Sequence, residues 1–352
     1  MLSLNRLFSR IPAFGATSRQ KLVHQMECRL FSTATMQAYS AESQEILVDV
    51  SSEAPHVYHM RLNRPSRRNA ITFELWGEMK TVVERLEHEP NCRVIVVSGN
   101  GDSFCSGIDL QDGLSVSGNS CLYVGNIRKH RRMSCFMKQI FQNTTAIFQN
   151  VITTMSNEEL DVGRRGIALG RFLQVAQDGF NAIAKCRKPV IAAVHNHCIG
   201  VGAELIMACD IRIASQDANF SIKEVDVGLA PDVGALSRMQ KIVGNDSWVR
   251  EMCFTCRNFN AEEALRHGFI SRIYPTAKET LDAATQLAKT ISEKSPIAIQ
   301  GTKVNLNYSR DHSDADGQLF VKAWNMGMLQ SEDLVESAKA YMAKRKPLFK
   351  NV

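Results

Sequence analysis

Lys188-Pro-Val-Ile-Ala-Ala-Val-His-Asn-His-Cys-Ile-Gly-Val-Gly-Ala-Glu-Leu-Ile-Met-Ala-Cys-Asp-Ile-Arg212 is the stretch from which the fold is read. Val190 to Val194 is a short apolar run opened by a proline, as in a buried strand. Gly200 and Gly202 supply a turn, Ala203 to Cys209 has room for two helical turns, and a second strand follows. The first N–H groups of a helix have no intrahelical acceptor, so such a turn can hold a developing negative charge. Glu204, in the first helical turn, sets a carboxylate beside it. That pairing points to enolate chemistry.

Downstream, Asn219-Phe-Ser-Ile-Lys-Glu-Val-Asp-Val-Gly-Leu-Ala-Pro-Asp-Val-Gly234 carries three acids. On an extended segment Glu224 and Asp226 share a face, and Asp232, after Pro231 and before a helical pattern, fits an N-cap. From Asn260 the pattern is helical: Ala261 to His267, Lys278 to Ser292, Pro296 to Tyr308, and two more helices through Lys346. Such a tail commonly packs on a partner subunit or over a neighbouring site.

Upstream, Ile46 to Val50 and Val57 to Leu62 predict a hairpin, Phe73 to Leu86 a helix, and Arg93 to Ser98 a buried strand. The strand runs into the Gly-bearing loop Gly99 to Leu110, which can bring backbone N–H groups close to a ligand. Arg67 and Arg68 lie in the loop after the hairpin, where they can meet phosphate or be solvated surface charge. Residues 111 to 160 are irregular and include the basic run Arg128-Lys-His-Arg-Arg132, for which a solvated loop is the simpler reading than nucleic-acid binding. Helical period returns from Asp161 and ends before Pro189.

The chain has 352 residues, 44% hydrophobic and 22% charged, an ordinary globular composition. It has no run of about 18 apolar residues, so no membrane span is expected. Much of the net charge of +6 sits in residues 1–36, where five Lys/Arg face Glu27 alone. That segment is Ser-rich and aligns Leu4, Leu7, Phe8 and Ile11 on one helical face, the pattern of a mitochondrial transit peptide. The C-terminus lacks the Ser-Lys-Leu peroxisomal signal, which makes the mitochondrial matrix the expected location. Ten cysteines without regular spacing argue for free core thiols, and Cys253-Phe-Thr-Cys256 is a lone CxxC. His195 and His197 alternate at a strand end and so point to one face, but no further metal ligands accompany them.

Phe104 to Leu110, Lys188 to Arg212 and Phe220 to Gly234 together resemble the crotonase (enoyl-CoA hydratase/isomerase) superfamily over about residues 45 to 350. Within it, Ser106-Gly-Ile-Asp-Leu110, Lys223 to Ala230 with Asp232, Tyr308-Ser-Arg-Asp-His312 and Trp324 to Gln330 are most similar to the Delta(3,5)-Delta(2,4)-dienoyl-CoA isomerases. The resemblance implies an α/β fold, a spiral of ββα repeats over residues 45–259 with an insertion within 111–160, and a helical region 260–352 that forms trimers, often paired into hexamers. It implies an acyl-CoA thioester substrate, with Ser106, Gly107, Ile108, Asp109, Leu110 and Val201 lining its site and no cofactor beyond the CoA of the substrate. Ile108 and Val201 match the two amide donors of the oxyanion hole, and Arg67 and Arg68 would meet the CoA phosphates.

The same resemblance makes Glu224 the base at C2 and Asp232, protonated, the acid at C6, with the opposite assignment open. Glu204 would tune the pair by its charge. The isomerases usually carry Asp where this chain has Glu204, and Gly where it has Val201. A 2-enoyl-CoA hydratase using Glu204 and Glu224 is therefore the alternative, and an RNA-binding protein of this fold is an alternative of another class. The insertion exceeds the usual connection of about 4 to 6 residues.

Overall fold

The computed structural model describes residues 45–109, 154, 155, 157 and 159–352. The leader, Leu110, the basic run 128–132 and most of the insertion lie outside the described residues. Strands β1 (Ile46–Ser51) and β2 (Ala54–Leu62) form the expected hairpin. β2 then pairs in parallel with β3 (Val94–Gly99), β3 with β4 (Val190–Val194), β4 with β6 (Ile211–Ser215), and β6 with β9 (Arg272–Tyr274). The six-stranded order is β1-β2-β3-β4-β6-β9. Parallel strands covered on both faces need continuous apolar runs, as Val94 to Val97 and Val190 to Val194 provide.

A second, smaller sheet joins β5 (His197–Ile199), β7 (Asn219–Ser221) and β8 (Phe259–Asn260). Cys105 extends it by a parallel bridge to Cys198. The repeat is then visible. β3, β4 and β6 each lead from the large sheet into the small one, through Cys105, β5 and β7, and successive turns stack beside each other.

Helix α1 (Phe73–His88) is capped by Thr72 and packs on α2 (Val162–Lys185), with Phe73 stacked on Phe172 at 4.9 Å. α3 (Val201–Ala208) follows β5 and is buried along its whole length. α4 (Ala235–Ile242), α5 (Asp246–Thr255) and α6 (Ala261–Arg266) follow β7 and β8. α7 (Ala277–Ser292) lays Ala284 and Ala288 against Val94, Val96, Ile191, Ala193 and Ile213, where small side chains let helix and sheet approach. α8 (Pro296–Ser309), α9 (Asp314–Met328) and α10 (Glu332–Met342) complete the chain.

The start of β4 is held by buried polar groups. Lys188 Nζ donates to Leu86 O and Glu89 O at the end of α1. Asp210 Oδ2 accepts from Val190 N at 2.8 Å and pairs with Lys303 Nζ at 2.7 Å. Every charge here has a partner, the condition for burying it.

Candidate active site

The site is built on the turn between β5 and α3. Gly200 has φ 52° and ψ −120°, a region open to glycine, and a Cβ there would lie 3.3 Å from Glu224 Oε1. The positive φ thus falls on Gly200, and Val201 begins the helix with its side chain buried. Its N–H belongs to the first helical turn, which has no intrahelical acceptor. Gly202 has a different task from the expected turn. It lies inside α3, where a Cβ would come within 2.8 Å of Cys105 Cβ, so its bareness lets the helix press on the neighbouring loop.

That loop carries Ile108, the residue expected to give the second donor. Ile71 N–H bonds Gly107 O at 2.8 Å and Asp109 N–H bonds Ile71 O at 3.0 Å. In a parallel bridge of this kind the N–H of the central residue, Ile108, points away from Ile71. Gly107 has φ 108°, and a Cβ on it would meet Ile199 O at 3.4 Å. The loop therefore passes close to the residues just before Val201. Asp109 is buried and pairs with Arg64 Nη2 at 2.8 Å, so its side chain pins the loop to the protein. Ser106 is half-buried, its N–H bonded to Arg68 O at 2.9 Å. Arg67 and Arg68 are exposed beside it, at one edge of the loop. Leu110 lies outside the described residues.

The carboxyl groups converge. Glu204 is fully buried in α3; its Oε1 accepts from Ala235 N at 2.8 Å and its Oε2 is buried without a hydrogen-bond partner. Burial pushes its carboxyl well above the ordinary range, and the neighbouring Glu224 and then Asp232 push it further. These surroundings disfavour its charged form. Glu224 is buried at the start of a 3-10 turn, Glu224–Val227, and its Oε2 also lacks a partner. Burial raises its pKa, backbone N–H groups of Glu224 and Lys223 oppose the rise, and Asp232 adds to it. Asp232 is exposed in the single chain, yet partial desolvation raises its carboxyl too.

Two local readings change. The turn breaks the extended geometry, so Asp226 does not share a face with Glu224; it is exposed and pairs with Lys223 Nζ at 2.7 Å. Asp232 is not an N-cap, because α4 starts three residues later, with Gly234 as its N-cap. Its backbone O accepts from Gln177 Nε2 on α2 at 2.7 Å.

The other singled-out groups are structural here. Cys253 and Cys256 are free and buried, as are the five other described cysteines. Burial pushes Cys105 and Cys209 up to about 12, leaving poor nucleophiles. Asn196, between His195 and His197, has φ 48° and interrupts the strand, yet both rings reach the one facing loop, Gly101 to Ser103. His195 Nε2 donates to Gly101 O at 2.9 Å and His197 Nδ1 bonds Ser103 Oγ at 3.1 Å. Among the described residues no group of three or more His, Cys, Asp or Glu is disposed to hold a metal ion. Sequence reasoning missed Asn69, which is fully buried with φ 56° and donates through Nδ2 to Asn100 O and Ser103 O. An Asn in a loop, tolerant of left-handed backbone, was its one visible signal.

The profile of the enoyl-CoA hydratase/isomerase family matches residues 53–130 and 164–352. The chain belongs to the enoyl-CoA hydratase/isomerase family. It is 43% identical over 291 residues to the human mitochondrial Delta(3,5)-Delta(2,4)-dienoyl-CoA isomerase, covering 83% of this chain and 77% of that protein. It is 38% identical to the peroxisomal enzyme of the same name from Arabidopsis thaliana, covering 83% of this chain and 92% of that one. The crystal structure of an enoyl-CoA hydratase from Bacillus anthracis superposes with a TM-score of 0.68 at 24% identity, over 87% of this chain and 99% of that one, which shows the crotonase fold. No helix among the described residues is long and apolar enough to cross a membrane.

Proposed function

We propose that this family member isomerises 3,5-dienoyl-CoA to 2,4-dienoyl-CoA in the oxidation of unsaturated fatty acids. The observation that carries the reading is the third carboxyl: Asp232 lies within electrostatic reach of both Glu204 and Glu224. The relatives named dienoyl-CoA isomerase support it.

The thioester oxygen lies between the N–H groups of Ile108 and Val201. Glu224 removes a proton from C2, and the electron pair moves into a dienolate spread from the thioester oxygen to C6. Both amides bond the oxygen more strongly as its charge grows, and one such donor is typically worth about 3 kcal/mol in the transition state. Asp232 returns a proton at C6, the C2=C3 and C4=C5 bonds are left, and solvent resets both carboxyls. Glu204 stays neutral. An ionised Glu204 would oppose the negative charge that Glu224 must carry, whereas the acid holds Ala235 N–H and so ties α3 to the segment bearing Asp232. No cofactor enters, CoA being part of the substrate, and Arg67 and Arg68 meet its phosphates.

Purified protein given a 3,5-dienoyl-CoA is expected to produce the absorbance of a conjugated 2,4-dienoyl thioester. Silence in that assay, or full activity in Asp232→Asn, would overturn the reading. Hydration is the second reading, favoured by the unpartnered Oε2 atoms of Glu204 and Glu224, which could hold a water. It requires water addition to crotonyl-CoA that survives loss of Asp232.

Two further parts of the proposal concern the whole molecule. α9, its C-cap Leu329 and α10 expose Leu319, Met326, Leu329, Leu334, Val335 and Met342, apolar surface that supports self-association, as a trimer or a dimer of trimers. A mass measurement in solution tests this. The human relative's mitochondrial name supports a matrix location, with residues 1–36 removed on import. An intact Met1 on protein recovered from mitochondria would contradict the removal.

A further inference from the structure

We propose that His195, Asn196 and His197 are positioning residues that set the separation of the two amide donors. The inference rests on the assignment of the oxyanion hole to Ile108 and Val201. Three consecutive side chains grip three consecutive residues of the facing loop. His195 Nε2 donates to Gly101 O at 2.9 Å, Asn196 Nδ2 donates to Asp102 O at 2.8 Å, and His197 Nδ1 bonds Ser103 Oγ at 3.1 Å.

Backbone bonds continue in the same direction: Phe104 N–H to His195 O at 3.0 Å, Cys105 N–H to His197 O at 2.8 Å, and Ile199 N–H to Cys105 O at 3.0 Å. Beyond this ladder one chain reaches Ile108 and the other reaches Val201. The backbone ladder alone fixes how the strands pair. The side-chain bonds hold the loop from Gly101 to Ser103, which enters the ladder and is otherwise gripped by Asn69 through Ser103 O.

Asn196 shows that the side chains matter beyond filling space. Its φ of 48° is strained for most residues and suits glycine better, and the strain is tolerated in a geometry that delivers its amide to Asp102 O. His195 is buried, and Nε2 facing a carbonyl must carry the ring proton, which fixes its tautomer. Together these bonds make the gap between the donors a property of the rigid framework. A gap that relaxes costs transition-state stabilisation, because the amides must be aimed at the oxyanion before it forms.

Asn196→Gly keeps the left-handed backbone and deletes only the bond to Asp102. His197→Leu deletes the bond to Ser103, while His197→Asn can restore it from the Nδ1 position. In steady-state assays with a 3,5-dienoyl-CoA, Asn196→Gly and His197→Leu are each expected to lower kcat by about 10-fold with KM changed less than about 2-fold, a fraction of the loss of one donor. His197→Asn is expected to recover most of the loss. The second readout is the absorbance of a bound 2,4-dienoyl-CoA, which shifts to longer wavelength when both amides polarise its carbonyl. The shift should shrink in the two deletion variants and return in His197→Asn.

Ile108→Pro, which has no amide hydrogen, is run alongside, with thermal melting of every variant. If Ile108→Pro folds, binds the thioester and keeps the full shift, the oxyanion assignment fails. If it loses the shift while Asn196→Gly and His197→Leu keep both shift and kcat, the assignment stands and the positioning role is overturned. A lower melting temperature with unchanged kcat and shift in those two variants overturns it as well, since that is what a purely structural contact would give.

Discussion

The two halves of the site are built on opposite plans. The turn from His197 to Ala208 is made of backbone donors on a short strand and a helix buried along its length. The segment from Asn219 to Gly234 has a three-residue strand and a single 3-10 turn, with Asp226 and Asp232 exposed and a glycine in the left-handed region at Gly228. In the proposed mechanism the first half stabilises charge without moving, and the fixed framework suits it. The second half would exchange protons with substrate and solvent, which needs carboxyls that burial perturbs but does not seal. Preorganised dipoles and perturbed acids are thus placed on separate elements, joined by the parallel pairing of β5 with β7, by Gly200 N–H to Ser221 O at 2.8 Å and by Ala235 N–H to Glu204 Oε1 at 2.8 Å.

The sharpest way to break the comparison is at the proton-transfer half. Glu224→Gln keeps the size of the side chain and removes the base. Turnover of a 3,5-dienoyl-CoA should fall by about 10²–10⁴-fold, the usual contribution of a positioned acid or base, while KM changes little. An activity within a few-fold of wild type would move the base to another carboxyl.

Next is the charge-holding half. Gly200→Ala forces a Cβ into a φ of 52° and to within 3.3 Å of Glu224 Oε1. Both the Val201 donor and the base are displaced, so kcat should fall by at least about 10²-fold, the cost of one lost donor. Gly202→Ala tests whether close packing on Cys105 matters as much; its cost should show first as lower thermal stability, since the 2.8 Å contact is with Cys105 Cβ.

These two glycines also mark how far the sequence could be read. Val190 to Val194 announced a buried strand, and the helices from Ala261 to Ser309 kept their expected places within a residue, while the last helix ends at Met342, four residues short of the expected Lys346. Local periodicity is enough for both. Gly200 and Gly202 look alike in sequence; their different tasks depend on Glu224 and Cys105, which are remote in the chain. Asp109 read as a site residue because the motif around it faces substrate, but its partner Arg64 is 45 positions away in the chain. The alternation rule failed at Glu224/Asp226 because the chain there is a 3-10 turn and not a strand. The family resemblance proposed the site's residues, but the clamp formed by His195 to His197 and Asn69 required coordinates.

A subtler test concerns the link between the halves. The Glu204 pKa in the folded state lies well above its ordinary value of 4.5, with burial the leading cause. A carboxyl of this kind favours folding most when it is neutral. Its contribution is fully present below the unfolded value and is lost as pH rises through the folded one. Glu204→Gln remains neutral throughout and can still accept from Ala235 N–H. The melting temperature of the variant relative to wild type should therefore increase between pH 5 and pH 8, by about 2 °C for each 1 kcal/mol of linkage. A constant difference across that range would mean that Glu204 is ionised in the folded protein.

The smallest effect is expected at Asp226, which lies two residues from the proposed base. It is exposed, its ion pair with Lys223 is exposed, and an exposed pair is worth at most about 1 kcal/mol. Lys223 Nζ keeps a second acceptor, Cys256 O at 3.1 Å, when Asp226 is removed. Asp226→Ala should thus leave kcat within about 2-fold of wild type and melting nearly unchanged. The contrast with Glu224→Gln is informative because both substitutions remove one carboxylate from the same four-residue turn, so a general effect of charge near the substrate would lower activity in both. Loss confined to Glu224 is what contact with the reacting carbon predicts; a comparable loss in Asp226→Ala would show that the turn acts through its overall negative potential, and the division of labour between the two halves of the site would have to be redrawn.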